Sequence, residues 1–317
     1  MTDFVTSAHM ARRTAAAVDA AVGAGRELGL TVTDATVLHE LFSVVVHLAP
    51  APVVVRVPVV LPQSTDPDEQ MRSMQAELEV TQWLADRGEP VIAPSPLVPR
   101  KPVRRGGFSM TFWQFVPEDH SKEPDHVANA EFTADLHAAL RTYPGRLSFL
   151  SAAQPWWITQ SLAHLERCPD LLGADDLERA RGQWRALEPL VRSQEAFAEV
   201  FSGVELQPLH GDCPPANIFA GVEADLYCDF ELVTWGPVEW DLAALGPQHR
   251  AAYDRGAQRH GMRQLNEDVV GFVNAVGMLR AVAALSLAPQ LPVLVEYLQP
   301  ALDQWREMPF IGGLVRP

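Results

Sequence analysis

Lysine is almost absent from this chain. Its 317 residues include only Lys101 and Lys122, so any cation that chemistry requires must come from arginine. Cysteine is scarce too: Cys168, Cys213 and Cys228 form no C-x-x-C pair, and an odd count in a long chain argues against a disulfide framework. No glycine lies between Gly29 and Gly88, which excludes a glycine-rich phosphate loop from that stretch. Basic charge is outnumbered, with 25 Lys+Arg against 40 Asp+Glu and a net charge of −15. That balance speaks against nucleic acid or an anionic membrane as the main partner. Acidic surface mostly serves solubility, with a weaker bias toward cationic ligands. No apolar run reaches the ~18 residues of a membrane span; "VGMLRAVAAL" is broken by Arg280. The N-terminal "MTDFVTSAHMARRTAAAVDAA" lacks the apolar core of a signal peptide. The expectation is a soluble, reduced, cytoplasmic protein.

What is present points to a large core. Hydrophobic residues make up 47% of the chain, and its length suits about two domains. Ser7 is placed to cap a helix through about Leu28, with Gly29 as its stop. Then the texture turns β-branched: "TVTDATVLHELFSVVVHL" and "PVVVRVPVVL" read as antiparallel strands. "DPDEQMRSMQAELEVTQWLADRG" reads as a helix, acidic at its start and ended by Gly88. "APSPLVPR" and "GFSMTFWQFVP" read as two further strands. Beyond Pro117 the spacing becomes helical, as in Val127, Phe132, Leu136 and Leu140, with longer patterns near 174–200, 263–286 and 291–306. Short strands are expected in "NIFAGV" and "DLYCDF". The expected fold class is α+β: a β-rich N-lobe over 1–116 and a mainly helical C-lobe over 117–317, with a ligand cleft between them.

The chemistry concentrates in "LHGDCPPANIFAGVEADLYCDFELVTWGPVEWDLAAL". Phosphoryl transfer needs a positioned nucleophile, a divalent metal and neutralised phosphate charge. In H-R-D-x-x-x-x-N catalytic loops the base and a metal-binding Asn lie five residues apart, followed by a metal-binding Asp in D-F-G. Asp212 and Asn217 are also five apart, and Asp229 opens a D-F-E. Pro214 and Pro215 forbid a regular helix between them, so Asp212 can face a substrate while Asn217 turns toward a metal.

H-G-D-x-x-x-x-N, then D-F-E, then W-D-L-A resembles, in order and spacing, the signature of the aminoglycoside phosphotransferase and choline kinase family of small-molecule kinases. The resemblance implies a bilobal protein-kinase-like fold and phosphorylation of a small hydroxylated compound by ATP or GTP with Mg²⁺. By the same resemblance Asp212 is the catalytic base, Asn217 and Asp229 are Mg²⁺ ligands, and His210 braces the loop.

Kinases also pair a strand cation with a helix carboxylate to grip the nucleotide phosphates. Arg56 in "VVVRVP" takes the strand position, and Glu77 in "AELEVTQWL" the helix position, with Glu79 as competitor. The hairpin covering the nucleotide is then the glycine-free "HELFSVVV", where Ser43 is the candidate phosphate contact. "FWQFVP" reads as the inter-lobe hinge, offering backbone groups around Gln114 and Val116 to a purine. No A-P-E occurs, and only eleven residues separate Asp229 from Asp241, too few for a peptide platform. A small acceptor follows. Glu231, Glu239, Trp156 and Trp157 are the candidates to line its pocket; Asp241 is expected to cap the following helix, and the cysteines to pack. The best substrate class is an aminoglycoside-like or other amino-bearing hydroxyl compound. A kinase for choline, ethanolamine or a sugar is the alternative, and a non-catalytic nucleotide-binding module is the rival from another class. The sequence names no oligomeric state.

Overall fold

The computed structural model describes residues 2–62 and 65–308. Helix α1 (Ser7–Glu27) is capped by Thr6 rather than Ser7, the Thr6 hydroxyl accepting from His9 N–H at 3.2 Å. Its small-residue stripe, Ala17, Ala20, Ala21 and Ala24, is buried against the sheet. Gly25 continues that stripe, because a Cβ there would press on Leu48.

Strands β1 (Val32–Glu40), β2 (Ser43–Pro50) and β3 (Val53–Pro58) form an antiparallel meander. Alternate residues of a strand face opposite sides. Val44, Val46 and Leu48 of β2 and Val53, Val55 and Val57 of β3 are fully buried on one face, each worth ~1.5–3 kcal/mol on burial. The same alternation turns Arg56 to the other face. Helix α2 (Pro67–Ala85), capped by Asp66, follows, and then β4 (Val103–Arg105) and β5 (Phe108–Gln114). The five-stranded order is β1-β2-β3-β5-β4.

"APSPLVPR" is not a strand. Pro94, Pro96 and Pro99 remove ladder donors, leaving only an isolated bridge from Pro94 to Trp113. The partner of β5 is β4 instead, joined through Gly106 and Gly107, both at positive φ as a tight hairpin turn demands.

The C-lobe contains α3 (His126–Leu140), α4 (Pro155–Leu165), α5 (Ala174–Arg192), α6 (Gln194–Val200), β6 (Gln207–Leu209), β7 (Ile218–Ala220), β8 (Asp225–Tyr227), β9 (Thr234–Gly236), α7 (Pro247–Arg259), α8 (Glu267–Ala284) and α9 (Leu294–Glu307). The 174–200 pattern is two helices. Ser193 breaks it in extended conformation and caps α6 through Ala196 N–H at 3.1 Å. Helix α8 with its following turn, Glu267–Leu287, is long and apolar enough to cross a bilayer. Val269, Phe272, Val273, Val276, Leu279 and Val282 are nonetheless buried in the C-lobe core, so it packs as a central helix of this fold. A second core cluster joins Val80 and Leu84 of α2 to Leu136 and Leu140 of α3 and to Tyr227, Phe230 and Val233. That cluster brings α2 beside the loop after β8.

Candidate active site

β6 delivers the chain into His210, Gly211 and Asp212. Gly211 has a φ of +92°, and a Cβ there would collide with the Leu232 carbonyl, so this tight passage requires glycine. A 3-10 turn at Pro214–Ala216 follows, in place of a helix. The carbonyl of Pro215 is fastened to α3, accepting from Asn129 Nδ2 at 3.0 Å and bonding His126 Nδ1 at 3.2 Å. Asn217 Nδ2 donates back to the Asp212 carbonyl, bridging the two ends of the loop.

Asp241 does not cap a helix; Gly246 precedes α7. Fully buried in the 3-10 turn Val238–Leu242, Asp241 accepts Gly211 N–H at 2.8 Å and His210 N–H at 2.9 Å. Nε2 of buried His137 lies 2.9 Å from the same carboxylate, and its Nδ1 lies 2.8 Å from the Tyr253 hydroxyl. Trp240 Nε1 donates to the Gly211 carbonyl at 2.9 Å. His210 packs on Phe230, its Nε2 facing the Cys228 carbonyl at 2.8 Å and its Nδ1 accepting Asp212 N–H at 3.3 Å. Those two partners together select the Nε2–H tautomer.

Asn217 and Asp229 sit at the same end of the β7–β8 hairpin. Ile218 pairs with Tyr227, and Cys228 N–H donates to the Asn217 carbonyl at 3.0 Å. Asp229 takes a left-handed φ of +63° just before buried Phe230. Arg56 reaches this point from β3. Its Nη2 is 2.5 Å from Glu77 Oε2, its Nη1 is 3.3 Å from Asp229 Oδ1, and Nη1 also pairs with Glu231. Burial opposes its charge, but Glu77, Glu231 and Asp229 hold it well above the ordinary arginine value. Burial pushes the Glu77 carboxyl up to about 8, and Asp229 and Glu231 add to this against the pull of Arg56. Glu79, the competitor, is exposed and bonded to Gln75.

The structure therefore brings Arg56, Glu77, Asp229 and Glu231 into one cluster. Glu231 pairs with Arg56. Glu239 is corrected outright: it is fully buried, its oxygens take Arg263 Nη1 and Nη2 at 2.5 and 2.9 Å and Asn266 N–H at 2.7 Å, and no carboxylate remains for a ligand. Trp156 and Trp157 open α4 and pack into the C-lobe core. Trp157 also lines a pocket of ≈ 290 Å³ with Pro62, Ser161, His164 and Leu287. In the hinge, Gln114 N–H is taken by Ala93 and Phe115 N–H by Pro52, each at 3.0 Å. Among the described residues Val116 N–H has no partner. Ser43 begins β2 beside the tip at Leu41 and Phe42, and the Phe42 carbonyl accepts Val59 and Val60 N–H.

Burial drives the thiols of Cys213 and Cys228 up to about 12, each helped by its neighbouring Asp, so neither is a nucleophile at neutral pH. The residues that sequence reasoning missed are His137, Tyr253, Arg263 and Arg280. The first had a signal: a histidine on the apolar face of α3 needs a buried partner.

Three structures illustrate the fold this chain shares. The amicoumacin kinase hAmiN, solved with AMP-PNP, Ca²⁺ and Ami, is 12% identical with a TM-score of 0.59, covering 92% of this chain and 96% of that one. The aminoglycoside-3'-phosphotransferase of type VIII is 17% identical with a TM-score of 0.55, covering 83% and 99%. A choline/ethanolamine kinase family protein from Mesorhizobium loti is 16% identical with a TM-score of 0.55, covering 92% and 97%. No curated protein sequence matches significantly. The sequence model described as "Phosphotransferase enzyme family" matches residues 44–268, from β2 to the start of α8. That span holds the sheet from β2 to β5, the Arg56 cluster and the whole Asp212 loop, and the chain belongs to the phosphotransferase enzyme family.

Proposed function

We propose that this protein is a nucleotide- and Mg²⁺-dependent kinase that phosphorylates a hydroxyl of a small molecule. The observation that carries the reading is Arg56, which bonds Glu77 of the N-lobe and Asp229 of the C-lobe at once. This is the cation a nucleotide phosphate chain would meet in the cleft. Residues 1–116 form the lobe over the nucleotide, with Val116 N–H facing the purine and Ser43 near the phosphates. Residues 117–317 carry the acceptor.

Asn217 and Asp229 suit a hard cation. Asn217 donates through Nδ2, which leaves its oxygen as an acceptor, and Asp229 is only partly engaged, by a long bond to Arg56. Among the described residues no group of three His, Cys, Asp or Glu is placed to hold a metal alone, so phosphate oxygens would complete the shell, as is usual for Mg²⁺. When bound, the ion would neutralise charge on the transferred phosphoryl group. Asp212 accepts the acceptor's hydroxyl proton as general base. The Asp241 clamp on Gly211 and His210 holds that base in place, and the Pro215 anchor to α3 keeps the loop from relaxing.

The short span from Asp229 to Asp241, filled by β9 and a 3-10 turn, favours a small acceptor over a folded protein. Glu239 is sealed on Arg263 and Glu231 lies on Arg56, so neither offers an unpaired carboxylate to an amino group. A metabolic kinase for choline, ethanolamine or a sugar is the second reading, and of these only a sugar lacks the amino group that would call for such a carboxylate. The test is a panel of hydroxyl compounds incubated with labelled ATP and GTP and Mg²⁺, read by mass spectrometry for the gain of one phosphoryl group. Nucleotide binding without any metal-dependent hydrolysis or transfer would favour a non-catalytic module instead.

A further inference from the structure

Three half-buried arginines stand near the site, and one of them is unpaired. Burying a guanidinium is expensive unless it is paired. Arg56 meets three carboxylates, and Arg263 is held by both oxygens of Glu239. Arg280, on α8, has no ion pair and no hydrogen bond among the described residues. Its Nε is sealed from solvent without a partner. Its guanidinium carbon lies 5.9 Å from the centre of the Trp240 ring, a cation–π contact that offsets part of the cost. Trp240 is the residue whose indole N–H supports the Gly211 carbonyl, so Arg280 stands over the base loop.

The acids around it show which end of the site it serves. The charges that act on Arg56 are Glu77, Glu231 and Asp229. Those that act on Arg280 are Asp212 and Glu231. In geometry, Arg56 stands beside the proposed metal ligand Asp229, and Arg280 stands over Trp240, which supports the loop of the proposed base. Burial holds the Arg280 guanidinium below its ordinary value, with Asp212 and Glu231 opposing.

We propose that Arg280 is an acceptor-binding residue that takes an anionic group, a carboxylate in the first instance, on the same small molecule whose hydroxyl faces Asp212. Phosphate groups of the nucleotide would have Arg56 and the proposed metal ligands at the other end; Arg280 stands over the base loop without a partner among the described residues. A carboxylate there gains a fork of charge-assisted hydrogen bonds and supplies the partner that this half-buried guanidinium lacks. The acceptor is then a hydroxy acid or a larger hydroxylated compound carrying an acid, not a simple amino alcohol. This rests on the kinase reading above.

The test uses the full chain saturated with Mg·AMP-PNP and matched probes on one skeleton: glycerate, glyceramide and aminopropanediol, then gluconate, gluconamide and glucamine. Calorimetry should show the carboxylate member binding at least about tenfold tighter than its amide, the weight of one hydrogen bond to a charged group. Arg280→Met should abolish that preference, Arg280→Lys should keep part of it, and the affinity for Mg·AMP-PNP should stay unchanged in both. Should Arg280→Met fail to fold, Arg280→Gln carries the same comparison. Equal binding of the three members, preference for the amine, no binding of either carboxylate, or a carboxylate preference that survives in Arg280→Met or Arg280→Gln would overturn the proposal. Loss of affinity for Mg·AMP-PNP but not for Mg·ADP in Arg280→Met would assign Arg280 to the transferred phosphoryl group, and also overturn it. Failure of wild type to bind Mg·AMP-PNP would remove the kinase reading and this inference together. Binding of the nucleotide without carboxylate preference removes this inference alone.

Discussion

Asp241 and His137 lie 2.9 Å apart with both side chains fully sealed from solvent, and the same carboxylate holds the backbone of the loop that carries Asp212. In Asp241→Asn an amide NH₂ would face backbone N–H groups, leaving buried donors opposed. The expected loss is about 2–4 kcal/mol of stability, together with a fall in kcat larger than any change in KM. Denaturant unfolding and steady-state kinetics on the variant check both. A variant with wild-type stability and rate would show that the clamp is dispensable.

Asp212→Asn should lower turnover by about 10²–10⁴-fold, the usual loss on removing a general base, while calorimetry finds Mg·AMP-PNP binding nearly intact. A wild-type kcat would refute the assignment of Asp212 as base.

Arg56→Ala should raise the KM for nucleotide by about 10–100-fold, the scale of hydrogen bonds to charged groups, and spare the KM for the acceptor. Arg56→Lys should recover part of this, since the charge returns without the fork. Equal effects on both substrates would contradict a phosphate-gripping role.

Removal of metal should be visible in stability. Arg56 faces the three acids Glu77, Asp229 and Glu231, so a divalent cation relieves an excess of negative charge. Mg·AMP-PNP at a hundred times its Kd should stabilise wild type by about 2.7 kcal/mol, and thermal unfolding of Asp229→Asn should show little of it. Without metal, pH acts through the same cluster. Glu77 is raised from 4.5 to about 8, so the folded state holds a proton that the unfolded chain releases. Its contribution to stability is fully present below pH 4.5 and is lost as pH rises through about 8. Glu77→Gln should flatten that part of the stability–pH curve.

Glu239→Ala should cost about 3 kcal/mol, the low end for breaking a buried pair, because Arg263 remains 25% exposed. The ranking of acceptors should not change. A selective loss of acceptor binding in a stable Glu239→Ala variant would restore Glu239 to the acceptor pocket.

Much of the fold could be read from local signals. Valine alternation on β2 and β3, acidic helix starts and the Gly88 stop are properties of a few neighbouring residues, and they locate the sheet and α2. The misreadings were local as well. Proline-rich "APSPLVPR" looked extended, but its prolines lack donors, and "RRGGF" held the true hairpin signal. Ser193 hid a helix break, because a serine inside a helical pattern reads equally as a solvated position or as a cap.

The sequence by itself determined the spacing of Asp212, Asn217 and Asp229 and, with Lys101 and Lys122 its only lysines, the use of arginine at position 56. These follow from residue type and from distances along the chain. Only the tertiary structure decided which charges meet. Arg56 and Glu231 are 175 residues apart in sequence, and Arg263 and Glu239 are 24 apart. Nothing local separates a carboxylate that faces a cleft from one sealed on an arginine, because burial and pairing are set by which elements pack together. The same packing leaves Arg280 unpaired over Trp240, a property invisible in "VGMLRAVAAL", where that arginine only interrupts an apolar helix.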